Sequence, residues 1–137
     1  MDADYRRTEE ITMRVGLTAG TFDLFHAGHI NILKKCREQC DELIVMVSSD
    51  TFNNIKGKDA HEKFELRALQ VSNNCSVNYV VMENGWEDKG IYIELFDVDV
   101  FFMGDDWDGK FDDLPCEVVY FPRTPGISST QLRNKLK

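Results

Sequence analysis

Two histidines, His26 and His29, stand three residues apart around Gly28 in a segment that reads T-A-G-T-F-D-L-F-H-A-G-H from Thr18 to His29. If a helix begins near Gly28, both imidazoles lie at its amino end, where free backbone N–H groups and the helix dipole favour anions. A capping histidine and a surface histidine would give the same letters. Two of them at this spacing after Gly20-Thr21, however, point to phosphate chemistry. The segment matches neither G-x-G-x-x-G nor the G-x-x-x-x-G-K-[ST] loop, so dinucleotide and Walker-type readings have no support. A zinc site built on the pair needs a third ligand, and the remaining histidine, His61, sits in a separate polar segment.

Three further groups carry candidate chemistry. Lys56-Gly57-Lys58, followed by Arg67, places two ammonium groups around a residue that lets the backbone swing, the composition of a mobile lid over a polyphosphate or of a plain solvated loop. Asp105 and Asp106, within Met103-Gly104-Asp105-Asp106-Trp107, could hold Mg²⁺ through water, contact a ribose or base, or cap a turn. Pro122 to Thr130 offers the planar donor fork of Arg123, then Ser128-Ser129-Thr130, whose hydroxyls suit either a terminal phosphate or a helix N-cap. Cys36 and Cys40 lie four apart, but no second pair or matching histidines follow at zinc spacing, so the four cysteines read as idle thiols.

These groups need elements to position them. Residues 1–12 are polar and aperiodic and read as a flexible arm, leaving residues 13–137 as one domain. Strands are predicted at Met13–Leu17, Leu43–Val47, Val77–Met82, Val98–Met103 and Glu117–Phe121. Helices are predicted at Ile30–Cys40, His61–Asn74, Ile91–Phe96 and Ser129–Lys137, with Phe64, Leu66, Leu69 and Val71 as the buried side of the second and Asp50–Ala60 as a loop. Strand and helix alternate, and the Leu43–Val47 run is apolar throughout, as in a strand covered on both faces. The fold class is therefore α/β: a Rossmann-like, doubly wound, mainly parallel five-stranded sheet with helices on both faces. Ligands of such sheets sit beyond the carboxyl ends of the strands, which is where the candidate groups fall.

With 137 residues and a net charge of −8, the chain is large enough for a core and too acidic for general nucleic-acid binding. It has no apolar run of membrane-spanning length and no hydrophobic signal core after Met1, which indicates a cytoplasmic protein without membrane insertion.

Taken together, G-T-F-D-x-x-H-x-G-H, K-x-K, G-D-D-W and R-T-x-G-I-S resemble the cytidylyltransferases of the HxGH nucleotidyltransferase superfamily, in particular the bacterial glycerol-3-phosphate cytidylyltransferases, from about Val15 to Thr130. The resemblance implies that CTP and an alcohol phosphate give a CDP-alcohol and pyrophosphate, in a homodimer, with Mg²⁺ held mainly by the nucleotide phosphates and no protein metal site. It assigns catalytic roles to His26, His29, Lys56 and Arg123. Gly20, Thr21, Phe22, Asp23, Gly28, Asp106, Arg123, Thr124, Ile127, Ser128 and Ser129 fall to the nucleotide, and Lys56, Lys58, Arg67 and Trp86 to the acceptor. This chain departs from the family pattern in having Pro125 for an acidic residue, Ser129 for threonine, and Cys75 and Asn78 where the family has arginine and aspartate. Rival readings are ATP in place of CTP, another acceptor such as ethanolamine phosphate, a heptose phosphate or a flavin phosphate, or a nucleotide-binding module without turnover.

Overall fold

Leu43 to Val47 are at most 4% exposed, so the strand they form is covered on both faces. The computed structural model describes residues 13–122. There, β1 (Val15–Gly20), β2 (Glu42–Ser48), β3 (Tyr79–Glu83), β4 (Val100–Gly104) and β5 (Glu117–Phe121) form one sheet in the order β3-β2-β1-β4-β5. Every pairing is parallel. Helices α1 (Ala27–Glu38), α2 (Asp50–Lys56), α3 (Phe64–Ser72) and α4 (Asp88–Leu95) connect them.

Alternate strand residues point to opposite faces and build two core layers. Val45, Val47, Val100 and Phe102 pack with Leu33 and Cys36 of α1 and Val71 of α3. Ile44, Met46, Leu17 and Phe101 pack with Ile93 of α4. At Gly16 a Cβ would come within 2.6 Å of the Phe102 ring and 2.9 Å of Cys40 Sγ, so only glycine lets the sheet and α1 approach this closely. The chain runs outward through β1, β2 and β3, then returns past β1 to β4 and β5. Strand order thus reverses between β1 and β4, the place where such sheets bind ligands.

The observed elements correct the sequence reading in the helices. Asp50–Lys56 is a helix and not a loop; it buries only Phe52 and Asn53, too little to show an apolar period. Its signals are the caps: Ser49 Oγ accepts from the Phe52 N–H at 3.0 Å, and Gly57 ends the helix at φ 72°. Helix α3 begins at Phe64 because the N–H groups of His61 and Glu62 are held by Asp23. Its buried side is Arg67 and Val71, whereas Leu66 and Leu69 are 44% and 57% exposed, contrary to expectation. Ile30 of α1 is also exposed. The predicted arm at residues 1–12 and the closing helix Ser129–Lys137 lie outside the described residues.

Candidate active site

The loop from β1 to α1 is shaped before any ligand arrives. Phe22 and Leu24 hold positive φ, 55° and 48°, a left-handed conformation costing non-glycine residues on the order of 1–3 kcal/mol each. Neighbouring contacts sustain it. Phe22 is buried, the Leu24 N–H donates to Glu62 Oε1 at 3.0 Å, and Asp23, 1% exposed, accepts from the His61 and Glu62 N–H groups at 2.8 and 2.9 Å. Asp23 thereby anchors the segment before α3 to the β1–α1 loop.

His26 is the N-cap of α1. Its Nδ1 accepts from the Gly28 N–H at 2.9 Å, and Nδ1 of His29, the third helical residue, accepts from the His26 N–H at 3.2 Å. This is a capping box with imidazoles in the usual places of Ser and Glu. Its chemical consequence is tautomeric. With both Nδ1 lone pairs engaged by backbone donors, the proton of each neutral ring is on Nε2. The rings stack with centroids 3.9 Å apart, and Phe25 stacks on His29 at 5.5 Å. Burial pushes the His29 pKa down to about 3, with the adjacent His26 adding to the effect; burial lowers His26 as well. Both are neutral donors at pH 7.

A base whose pKa falls on folding destabilises the native state in acid, because the unfolded chain then binds the proton more tightly. The sign is definite. The His29 contribution is fully present above its unfolded value of 6.5 and is lost as pH falls towards 3. Between neutral pH and about pH 5 the loss is on the order of 2 kcal/mol. Urea unfolding at the two pH values should show it in the wild type, and the dependence should flatten in His29→Gln.

Arg67 is 0% exposed, and its guanidinium is held by three backbone carbonyls and one carboxylate. Nε donates to Glu62 O at 2.9 Å, Nη1 to Thr21 O and Ser48 O at 2.8 Å each, and Nη2 to Asp50 Oδ1 at 2.8 Å. It thus ties together the ends of β1 and β2, the start of α2 and the segment before α3, and bears on the site through them.

Lys56, the last residue of α2, donates from Nζ to Ser48 Oγ at 2.7 Å and lies 4.6 Å from the Phe52 ring centroid. Burial lowers its pKa to about 8, against the opposing pull of Glu83. Ser48 Oγ in turn donates to Gly20 O at 3.3 Å, and Thr21 Oγ1 donates to Asn53 Oδ1 at 3.0 Å. Lys58 is exposed just beyond Gly57. Trp86, 48% exposed, meets Phe52 edge-on at 5.0 Å and Trp107 at 6.2 Å. The latter contact brings in the 3₁₀ turn Asp105–Trp107 that carries exposed Asp106.

Gly20, Thr21, Phe22, Asp23, His26, Gly28, His29, Lys56, Lys58, Arg67, Trp86 and Asp106 therefore all lie at or beyond the carboxyl edge of the sheet or on the segments tied to it. Arg123, Thr124, Ile127, Ser128 and Ser129 lie outside the described residues. Asn78 is at the opposite edge, before β3, where its Oδ1 accepts from the Leu43 N–H and Arg37 Nη1, both at 2.9 Å. The length of β3 separates it and exposed Cys75 from the carboxyl edge of the sheet. Sequence reasoning passed over Ser48, Asn53, Glu83 and Lys89. Glu83 and Lys89 form a buried ion pair behind Trp86, and Glu83, the last residue of β3, had the position of a strand's carboxyl end as its signal. Cys40 Sγ, just beyond α1, donates to Cys36 O at 3.3 Å, and burial raises both thiol pKa values, Cys40 to about 11.

A parallel sheet of this order, with helices on both faces and a histidine-capped helix at its reversal point, is a Rossmann-like, doubly wound α/β domain. Residues 17–135 match the cytidylyltransferase-like family, and the chain belongs to that family. It is 46% identical over 126 residues to a glycerol-3-phosphate cytidylyltransferase of Staphylococcus aureus, covering 90% of this chain and 96% of that protein. The enzyme of the same name from Bacillus subtilis is 45% identical over 126 residues, covering 90% and 98%. The lipopolysaccharide core biosynthesis protein of Thermoplasma volcanium superposes with a TM-score of 0.71 over 82% of this chain and 98% of its own, at 24% identity; that likeness is one of fold.

Proposed function

We propose that this chain is a cytidylyltransferase that joins CTP and glycerol 3-phosphate into CDP-glycerol and pyrophosphate. The observation that carries the mechanism is the histidine pair with both Nδ1 atoms bound to backbone, which leaves two neutral Nε2–H donors at a helix start. The names of its relatives support the substrates.

The reaction is a single displacement. A phosphate oxygen of glycerol 3-phosphate attacks the α-phosphorus of CTP, the bond to the bridging oxygen breaks, and pyrophosphate leaves. The nucleophile needs no general base, because a phosphomonoester with a second pKa near 6 is largely dianionic at neutral pH. The chain's task is to hold two polyanions in line and to follow the moving charge with donors. His26 and His29 donate from Nε2 to phosphate oxygens. Lys56 and Lys58 neutralise the approaching acceptor, and Arg123 with Thr124, Ile127, Ser128 and Ser129 holds base and outer phosphates. A site of imidazole N–H and ammonium donors repels a bare cation and fits Mg²⁺ entering as the CTP complex, ligated chiefly by phosphate oxygens.

Lys56 must be charged to act. With its pKa lowered to about 8 in the free protein, kcat/KM should fall above about pH 8, and Lys56→Arg should move that limb beyond the working range. The acid limb near 6 should follow the acceptor and not the histidines. The nucleotide reading is tested by thermal shift with CTP, ATP, GTP and UTP, followed by an acceptor screen. CTP should stabilise most, and a larger shift with ATP overturns the assignment.

A homodimer belongs to the same reading. β3 is an edge of the sheet among the described residues, and Tyr79 and Met82 on it are exposed, as are Leu66 and Leu69 of α3. No helix of the described residues is long and apolar enough to cross a membrane, and the cysteines are free, which supports a reducing, cytoplasmic compartment.

A further inference from the structure

Asn53 is 2% exposed, and among the described residues its Nδ2 has no hydrogen-bond partner. A buried amide donor left unpaired is rare in folded proteins and calls for a reason. The other arm of the same amide is engaged: Oδ1 accepts from Thr21 Oγ1 at 3.0 Å. Thr21 stands one residue past β1, and the backbone there is fixed from two directions. Arg67 Nη1 donates to the Thr21 carbonyl at 2.8 Å, and Ser48 Oγ donates to the Gly20 carbonyl at 3.3 Å. What stays adjustable at Thr21 is its hydroxyl. That group has a single proton, which goes to Asn53, whereas the oxygens of an ionised phosphate can only accept.

We propose that Asn53 is a positioning residue for the nucleotide phosphates, acting through Thr21: when a polyphosphate binds, the Asn53 amide turns over, Nδ2 donates to Thr21 Oγ1, and the hydroxyl redirects its proton from Asn53 to a phosphate oxygen. Rotation by 180° about Cβ–Cγ puts Nδ2 where Oδ1 stood. It breaks no other hydrogen bond, because Nδ2 has none to lose among the described residues. Either sense of the amide leaves one buried atom unpaired, so the two are closely matched in the free protein, and the charge-assisted bond from hydroxyl to phosphate decides between them. The backbone carbonyl of Asn53 accepts from the Lys58 N–H at 2.8 Å, so the residue that answers the nucleotide also holds the turn of Lys56, Gly57 and Lys58. The inference rests on the cytidylyltransferase reading for CTP as the natural ligand, while the exchange between Asn53 and Thr21 requires only a polyphosphate.

The test is a double-mutant cycle read by titration calorimetry with CTP and with inorganic tripolyphosphate. Asn53→Leu, neutral and of similar volume, should raise Kd for both by at least about tenfold, with kcat at saturating CTP within about threefold of wild type. Thr21→Val should show the same rise, and adding Asn53→Leu to it should cost no more than about twofold further. Thr21→Ser, which keeps the hydroxyl, should bind as the wild type does. A packing role for Asn53 predicts instead an equal loss in both backgrounds. A second measurement leaves Asn53 in place. In proton–nitrogen NMR spectra of the wild type, one Asn53 side-chain amide proton should move downfield as CTP or tripolyphosphate is added, and the same titration should leave it unmoved in Thr21→Val. If Asn53→Leu does not fold, that titration carries the test. Additive costs, wild-type affinity in a folded Asn53→Leu, or an amide proton indifferent to both ligands overturns the proposal. The expected cycle with tripolyphosphate in a chain that ignores CTP overturns instead the cytidylyltransferase reading.

Discussion

His26→Asn and His29→Gln should each lower kcat/KM by more than a hundredfold while leaving the melting temperature close to wild type. The reason lies in the division of labour between the ring nitrogens. Nδ1 closes the capping box, and Nε2–H is left for the phosphates. Asparagine is among the best N-caps, and glutamine at the third helical position reaches back to the cap N–H, so these substitutions keep the helix start and delete only the distal donors. Loss of one preorganised donor to a developing anion costs about 3 kcal/mol of transition-state stabilisation. Alanine at either position removes both functions and should lower stability as well as rate. Steady-state kinetics and thermal unfolding of the four variants check this. Near-wild-type turnover in His26→Asn and His29→Gln would dismiss the histidines from the chemistry.

Arg67→Met should destabilise the fold by about 3–5 kcal/mol, because it leaves the carbonyls of Glu62, Thr21 and Ser48 without their donor in the interior. The guanidinium reaches Glu62 O, Thr21 O, Ser48 O and Asp50 together, and no other side chain can replace four such contacts. Arg67→Lys keeps the charge but not the fork, so it should recover only a minor part. Urea unfolding measures the loss. Because Arg67 acts on the site through the β1 and β2 ends, kcat should fall along with stability. A variant with native stability and only a raised KM for the acceptor would instead make Arg67 a direct ligand.

The strands were legible because parallel strands covered on both faces must be continuous apolar runs, as Leu43 to Val47 are. The site's edge followed from the topology for the H-x-G-H and G-D-D-W segments, which come just past β1 and β4, whereas Lys56-Gly57-Lys58 is set one helix beyond β2. Other features depend on contacts distant in sequence. Helix α2 buries two residues, so its caps announced it better than its period. Helix α3 turns Arg67 inward, and a charged residue at the centre of a buried face defeats a rule that looks for apolar spacing. The resemblance pointed Arg67 towards the acceptor, and only the coordinates reveal its ties to Thr21 and Ser48. Lys89 has no spacing signal at all, because its aromatic surroundings assemble from α2, the segment before α4 and the stretch after β4. The tautomers of His26 and His29 emerge from backbone geometry, which the letters H-x-G-H do not specify.

The most direct test is phosphorus NMR of the purified protein with CTP, Mg²⁺ and glycerol 3-phosphate. The paired diphosphate resonances of CDP-glycerol should appear together with an equal amount of pyrophosphate in the wild type, and more than a hundredfold more slowly in His26→Asn. CTP bound but unconsumed, or consumed without a diphosphate-linked glycerol product, would contradict the proposed reaction.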